Sequence, residues 1–313
     1  MGEPRDVPGR HEPGRHEGRH EPGRHEAGRH ARGGRRRRTS PPPVLDHGRG
    51  ARDNGRMTQP SRDRSPADDG PGRTVSPRDA DLAERLLSEG RLTVEGRLVQ
   101  ASNATLYCSV EWEDLTAACV YKPVAGERPL WDFPDGTLAG REVAAYAVSQ
   151  AMGWNIVPPT VHRDGPYGPG MVQLWVEPDP DVDLVALSRS DDPAVRRVAV
   201  FDAVINNADR KIGHLLPPGD GHVYGCDHGV CFSVEYKLRT VLWQWRGKRL
   251  TDEALEALGR VEAALAGPLG DRLAALLTAE EVDATRRRVE LMLKHRIHPY
   301  PPEDWPAIPW PPL

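Results

Sequence analysis

The chain has 313 residues, 28% of them charged, and a net charge of −4. Residues 1–56 hold 14 Arg against 8 acidic residues, a surplus of six, so the remainder carries 28 basic and 38 acidic residues, a net of −10. An acidic folded part is a poor match for nucleic acid by charge. No apolar run reaches the roughly 18–20 residues of a membrane span, and no apolar stretch follows the basic N-terminus as a secretory signal requires. The four cysteines at 108, 119, 226 and 231 form no CxxC pair. They read as free thiols in a cytoplasmic protein, and with no heptads the default is a monomer.

Residues 1–77 read as a disordered tail. Residues 9–30 repeat Gly-Arg-His-Glu with variations, His recurring at 11, 16, 20, 25 and 30, and four arginines follow at 35–38. Without apolar periodicity the segment cannot bury enough surface to offset the entropy of ordering it. Spaced histidines suit loose binding of a transition metal, and the arginines suit nucleic acid or acidic surfaces. The composition also fits translation from an upstream start in a GC-rich gene, with Met57 as the true start.

From Asp79 the pattern is that of a folded protein. Leu82, Leu86 and Leu87 share one face of a short helix that stops at Gly90. Strands are predicted at 91–100, 105–111 and 116–121, then a helix at 137–152 ending at Gly153. Two more strands, 156–162 and 170–176, flank a Gly/Pro-rich hairpin at 164–170. After a connector near 177–181 the chain turns helical, with helices at 192–207, 251–266, 268–276 and 278–296 and short strands at 214–216 and 222–225. The last 15 residues read as an extended strap that lays Trp305 and Trp310 on the domain. Strands followed by helices predict an α+β protein, a small β-rich lobe at 78–176 and a larger, mostly helical lobe at 177–313.

Two motifs carry chemistry. Asp209 lies in Asn206-Asn207-Ala208-Asp209-Arg210-Lys211-Ile212-Gly213-His214, and Asp227 in Cys226-Asp227-His228-Gly229. Phosphoryl transfer needs such a pair: one carboxylate orients or deprotonates the acceptor, and the other holds the divalent metal that neutralises the phosphates. Such an enzyme also needs a strand lysine on the phosphates and a helix glutamate to fix it. Lys122, at the end of the third strand candidate, and Glu142, early in the next helix, stand in that order. Ser102, in a turn without glycine, is placed to cap phosphate oxygens. Gln173, Trp175 and Val176 lie where the last strand of the small lobe would meet adenine. Arg210 and Lys211 are candidates to neutralise the transferred phosphoryl group.

These segments (VYKP, REVAAY, NNADRKIGH, CDHG) together resemble the phosphatidylinositol 3- and 4-kinase-like proteins, above all the small actinobacterial relatives of those kinases and more distantly the HipA-type bacterial protein kinases. The resemblance covers about residues 80–313 and implies a two-lobed protein-kinase-like fold. It implies Lys122 on phosphate, Glu142 as its partner, Asp209 in the catalytic loop and Asp227 on metal. His214 stands five residues after Asp209, where the family has an Asn metal ligand, and imidazole suits Mn or Zn better than Mg. The segment after Asp227 has Lys237 and Arg239 but no dense basic cluster, which argues against a lipid headgroup. The expected function is an ATP-dependent phosphotransferase using Mg or Mn and acting on a protein or small-molecule hydroxyl. A pseudokinase is the alternative, and a metal- or nucleic-acid-binding tail is a third reading.

Overall fold

The structure is a computed structural model that describes residues 72–98 and 103–313. Most of the expected tail, and Ser102, lie outside the described residues. The described chain starts inside the stretch expected to be tail. Strand β1 (Arg73–Thr74) pairs parallel with Leu115 and Thr116, which corrects the boundary placed at 77.

Helix α1 (Ala80–Glu89) starts on Asp79, whose carboxylate accepts from the Leu82 N–H, and it buries Ala83, Leu86 and Leu87. Strands β2 (Arg91–Arg97), β3 (Leu106–Trp112) and β4 (Leu115–Pro123) follow as an antiparallel meander. Helix α2 (Leu138–Met152) comes next, then β5 (Thr160–Gly165) and β6 (Gly168–Leu174). The sheet order is β2-β3-β4-β6-β5, with β1 also on β4. The Gly/Pro-rich hairpin expected at 164–170 is a tight one: Asp164 pairs with Pro169 and Gly165 with Gly168. Gly168 makes this possible by taking a φ of 92°, a region that L side chains disfavour.

Side chains alternate across a strand, so the register assigns each residue a face. Cys108, Val110, Cys119, Tyr121, Val172 and Leu174 pack with α1 in one apolar cluster. Met171, on the opposite face, packs with Ala139 and Val143 of α2. Lys122 pairs with Met171 across β4 and β6, so it too faces α2. A Cβ on Gly170 would come within 2.4 Å of the Lys122 carbonyl; only glycine lets β6 lie this close beneath the lysine.

The remainder is mostly helical: α3 (Leu184–Arg189), α4 (Pro193–Ile205), α5 (Asp252–Leu265), α6 (Pro268–Ala274) and α7 (Ala279–His295). A two-stranded ribbon, β7 (Leu215–Leu216) and β8 (Tyr224–Gly225), follows α4. The core of this part is built from Val195, Val198, Phe201, Trp245, Leu258, Val261, Val289 and their neighbours, and α2 contributes Ala144, Ala147, Val148 and Met152 to it. The architecture is thus α+β, a β-rich lobe followed by a helical one, with α2 packed against both. No helix among the described residues is long and apolar enough to cross a membrane.

The C-terminal segment does lie along the domain. Ala307 C=O accepts from Thr240 N–H at 3.0 Å and from Trp243 Nε1 at 2.8 Å, and Pro312 C=O accepts from Ile212 N–H at 2.9 Å. Trp305 stacks on Trp131. Trp310 does not pack as expected; it stays 86% exposed.

Candidate active site

Four segments converge. Strand β4 offers Lys122, α2 offers Glu142, the loop after α4 offers Asp209, and the residues after β8 offer Asp227. Lys122 Nζ donates to Glu142 Oε1 at 2.7 Å and also bonds Asp227 Oδ1. The other Glu142 oxygen accepts from the His228 N–H at 2.9 Å. The buried glutamate therefore ties the strand lysine to the Asp227 segment.

The loop after α4 is shaped by its polar residues. Asn206 caps the helix in the left-handed region, φ 52°, a conformation Asn tolerates. Its amide donates to the Ser233 carbonyl at 2.9 Å. Asn207 donates to Asp202 at 2.9 Å and accepts from the Asp209 N–H at 2.9 Å. Asp209 then stands partly exposed beside Lys211, whose ammonium is 3.3 Å from its carboxylate.

His214 sits in a single 3-10 turn, Ile212–His214, and the β7–β8 ribbon brings it to Asp227: Cys226 N–H bonds the His214 carbonyl at 3.1 Å. His214 Nε2 lies 3.4 Å from Asp227 Oδ2, while Nδ1 accepts from the Lys211 N–H at 3.4 Å. With Nδ1 as acceptor, a neutral ring carries its proton on Nε2 and presents it to Asp227.

Charges follow from these neighbours. The Lys122 ammonium beside Asp227 holds that carboxyl well below the usual carboxylate range. Burial disfavours the Lys122 charge, but Asp227 and Glu142 outweigh it and raise its pKa. Burial raises the Asp209 carboxyl above its ordinary value, against the pull of Lys211 and Arg239 and with a push from Asp227. Burial lowers His214 to about 4 despite Asp227 beside it. Asp227 itself has φ 59°, a strained backbone of the sort that gathers at functional sites.

Arg210 is not where the sequence suggested. It is wholly buried, with Nη2 2.8 Å and Nε 3.0 Å from the Asp202 carboxylate, and Nη1 donates to the Cys226 carbonyl at 3.1 Å. It cannot reach a phosphoryl group. Its Nη2 also meets His228 Nε2 at 2.6 Å, so Asp202, Arg210, His228, Glu142 and Lys122 form one continuous polar chain from α4 to β4. Sequence reasoning did not single out Asp202. The signal was a lone charge inside the apolar run Val198-Ala199-Val200-Phe201-Asp202-Ala203-Val204-Ile205.

The expected adenine-side residues lie at the end of β6. The buried Gln173 spends its amide on Thr160 Oγ1 at 2.8 Å, and the Trp175 N–H bonds the Ala118 carbonyl at 2.9 Å. The Trp175 N–H is therefore taken, and one donor of the Gln173 amide is spent within the sheet. Val176 is buried next to them. Ser102 is outside the described residues.

No family model matches the chain. It is similar to protein Rv2133c of Mycobacterium tuberculosis, 48% identical over 261 residues, covering 72% of this chain and 94% of that protein. Among solved structures it is similar to the structure of hydra Fam20 with sugar (14% identity, TM-score 0.46, 70% of this chain and 88% of that one). It is also similar to the Helicobacter pylori proinflammatory kinase CtkA (10% identity, TM-score 0.37, 67% and 94%).

Proposed function

The chain belongs to the family of the Mycobacterium tuberculosis protein Rv2133c, and we propose that it is an ATP-dependent phosphotransferase acting on a protein or small-molecule hydroxyl. The observation that carries this is Lys122 held between Glu142 and Asp227, with Asp209 close enough to Asp227 for their charges to interact. A strand lysine fixed by a helix glutamate, opposite two loop aspartates, is the kinase-like set for holding a triphosphate and directing an acceptor. The β-rich lobe at 78–176 and the helical lobe at 177–313 are the two halves we assign to it.

In this reading Lys122 contacts the phosphates and Glu142 keeps it aimed. Asp209 orients the acceptor hydroxyl and takes its proton. The acceptor oxygen bonds to the γ-phosphorus, the bond from phosphorus to the β–γ bridging oxygen breaks, and ADP leaves with that electron pair. Val176, two residues after β6, is left to meet adenine.

The donor set fits a divalent ion. Asp227 has half its side-chain surface open, and His214 lies beside its second oxygen. Among the described residues no group of three or more His, Cys, Asp and Glu could hold an ion alone, so nucleotide oxygens and water would complete the shell. A mixed oxygen and nitrogen set suits Mn at least as well as Mg. When bound, the ion supplies neutralisation of phosphate charge.

The test is ATP consumption and transfer of labelled γ-phosphate, with Mg and with Mn, by protein starting at Met57 and by its Asp209→Asn variant. Turnover or self-labelling that disappears in the variant is expected. ATP binding without turnover under both metals would favour the second reading, a nucleotide-binding pseudokinase, for which the imidazole at 214 speaks. Absence of ATP binding would sink both.

A further inference from the structure

Phosphoryl transfer needs positive charge at the group in flight, and the residues near Asp209 can be sorted by what already occupies them. Arg210 is buried against Asp202. Lys237 is 4% exposed, paired with Asp132 at 3.2 Å and Glu235 at 3.0 Å, and covered by the Trp305 ring at 4.3 Å. Lys122 serves Glu142 and Asp227 on the nucleotide side. Lys211 is on Asp209 itself.

Arg239 differs from all of these. Its backbone brackets Asp209: its N–H donates to the Asn207 carbonyl at 2.9 Å, and its carbonyl accepts from the Arg210 N–H at 3.0 Å. The two bonds pin Arg239 to the residues on both sides of Ala208 and Asp209. Its side chain is half-buried, and its Nε is buried without a hydrogen-bond partner among the described residues. No ion pair to it is found among the described residues either. Yet its charge is close enough to favour the ionised form of Asp209. A buried guanidinium nitrogen left unpaired is costly, and a planar fork of donors is matched by phosphate oxygens.

We propose that Arg239 is the residue that neutralises the phosphoryl group as it passes from ATP to the acceptor at Asp209, the role that the sequence suggested for Arg210. This rests on the phosphotransferase reading above. The guanidinium adds no bond of its own to the reaction. It lowers the cost of charge on the three equatorial oxygens of the group in flight.

The experiment is equilibrium binding of ADP, with Mg or Mn, in the presence and absence of aluminium fluoride, which mimics the phosphoryl group in transfer. Wild type, Arg239→Ala and Arg239→Met are compared. Wild type should bind ADP about tenfold or more tightly with fluoride than without, the size of gain one well-placed donor gives. Both variants should keep their affinity for ADP alone within about twofold and lose most of the fluoride gain. Free guanidinium ion should return part of it to Arg239→Ala, which a merely structural loss would not allow. Arg239→Met keeps the packing of the stem, so it decides the matter if the alanine variant folds poorly. Variants that keep the full gain, or a wild type that binds ADP but gains nothing from fluoride, would overturn the proposal. A wild type that does not bind ADP would overturn the phosphotransferase reading, and this one with it.

Discussion

The guanidinium of Arg141 and the carboxylate of Glu281 meet at 2.7 Å, with side chains 1% and 8% exposed. Arg141 is the residue before Glu142 on α2, and Glu281 opens α7. The same guanidinium donates to the Cys231 carbonyl at 2.8 Å. Helix α2 is thereby fastened to the helical lobe one residue away from the glutamate that bonds Lys122. Removing one partner leaves a buried charge uncompensated, which costs about 3–5 kcal/mol. Glu281→Ala should lower the melting temperature by ten degrees or so and be the more severe because Glu281 also closes a capping box with Thr278. Denaturant unfolding of the variant checks it, and a loss under about 1 kcal/mol would refute the assignment.

Asp202 and Arg210 are both sealed from solvent. Asp202→Ala should destabilise by a similar few kcal/mol and should also loosen the loop that carries Asp209. Hydrogen exchange should therefore speed up at the backbone amides of residues 207–210 more than at those of α5. Uniform exchange across the protein would show the pair to be an ordinary structural one.

Glu142→Gln keeps the shape of the side chain and removes its charge. One charge-assisted bond to Lys122 is worth about 1.5–3 kcal/mol, so ATP affinity should fall roughly ten- to hundredfold. Titration calorimetry with ATP reads this directly. Unchanged affinity would mean that Lys122 is not the phosphate contact.

Acid stability should depend on His298. It is buried, its Nε2 accepts from Arg196 Nε at 3.1 Å, and burial followed by the Arg196 charge lowers its pKa to about 4. An unfolded histidine titrates near 6.5. Between those values the unfolded chain binds the extra proton, so stability is full above about pH 6.5 and falls as the pH drops towards 4. The loss is at most about 3 kcal/mol from this residue. His298→Asn, compared with wild type at pH 7 and pH 4.5, should show a smaller drop in melting temperature. An equal drop would assign the acid sensitivity elsewhere.

How much of this was legible depends on what kind of information a residue needs. Lys122, Glu142, Asp209 and Asp227 could be picked out because each sits in a short segment whose neighbours mark it: a strand ended by Pro123, a helix, two polar loops. The α1 boundary at Gly90 was legible for the same local reason. Arg210 was misread because a charge in a loop looks available until its partner is known, and Asp202 lies a helix end away. Arg239 was noticed only as a sparse basic residue; its relation to Asp209 is made by backbone bonds between segments about 30 residues apart, which no local pattern encodes. The hairpin at Pro166-Tyr167 was legible because glycines and prolines between two apolar strand candidates mark a turn. Trp310 was expected to pack because exposing it costs apolar burial, and that cost says nothing about where a partner surface stands.

The bond from Pro312 C=O to Ile212 N–H has a practical side. Ile212 lies between Asp209 and His214, so whatever is joined after Leu313 begins one residue from a segment tied to the loop that carries Asp209. A purification handle or fluorescent fusion placed there pulls on the loop being assayed. Handles belong at the other end, and two preparations that differ only in a C-terminal tag should be treated as two different proteins in kinetic work.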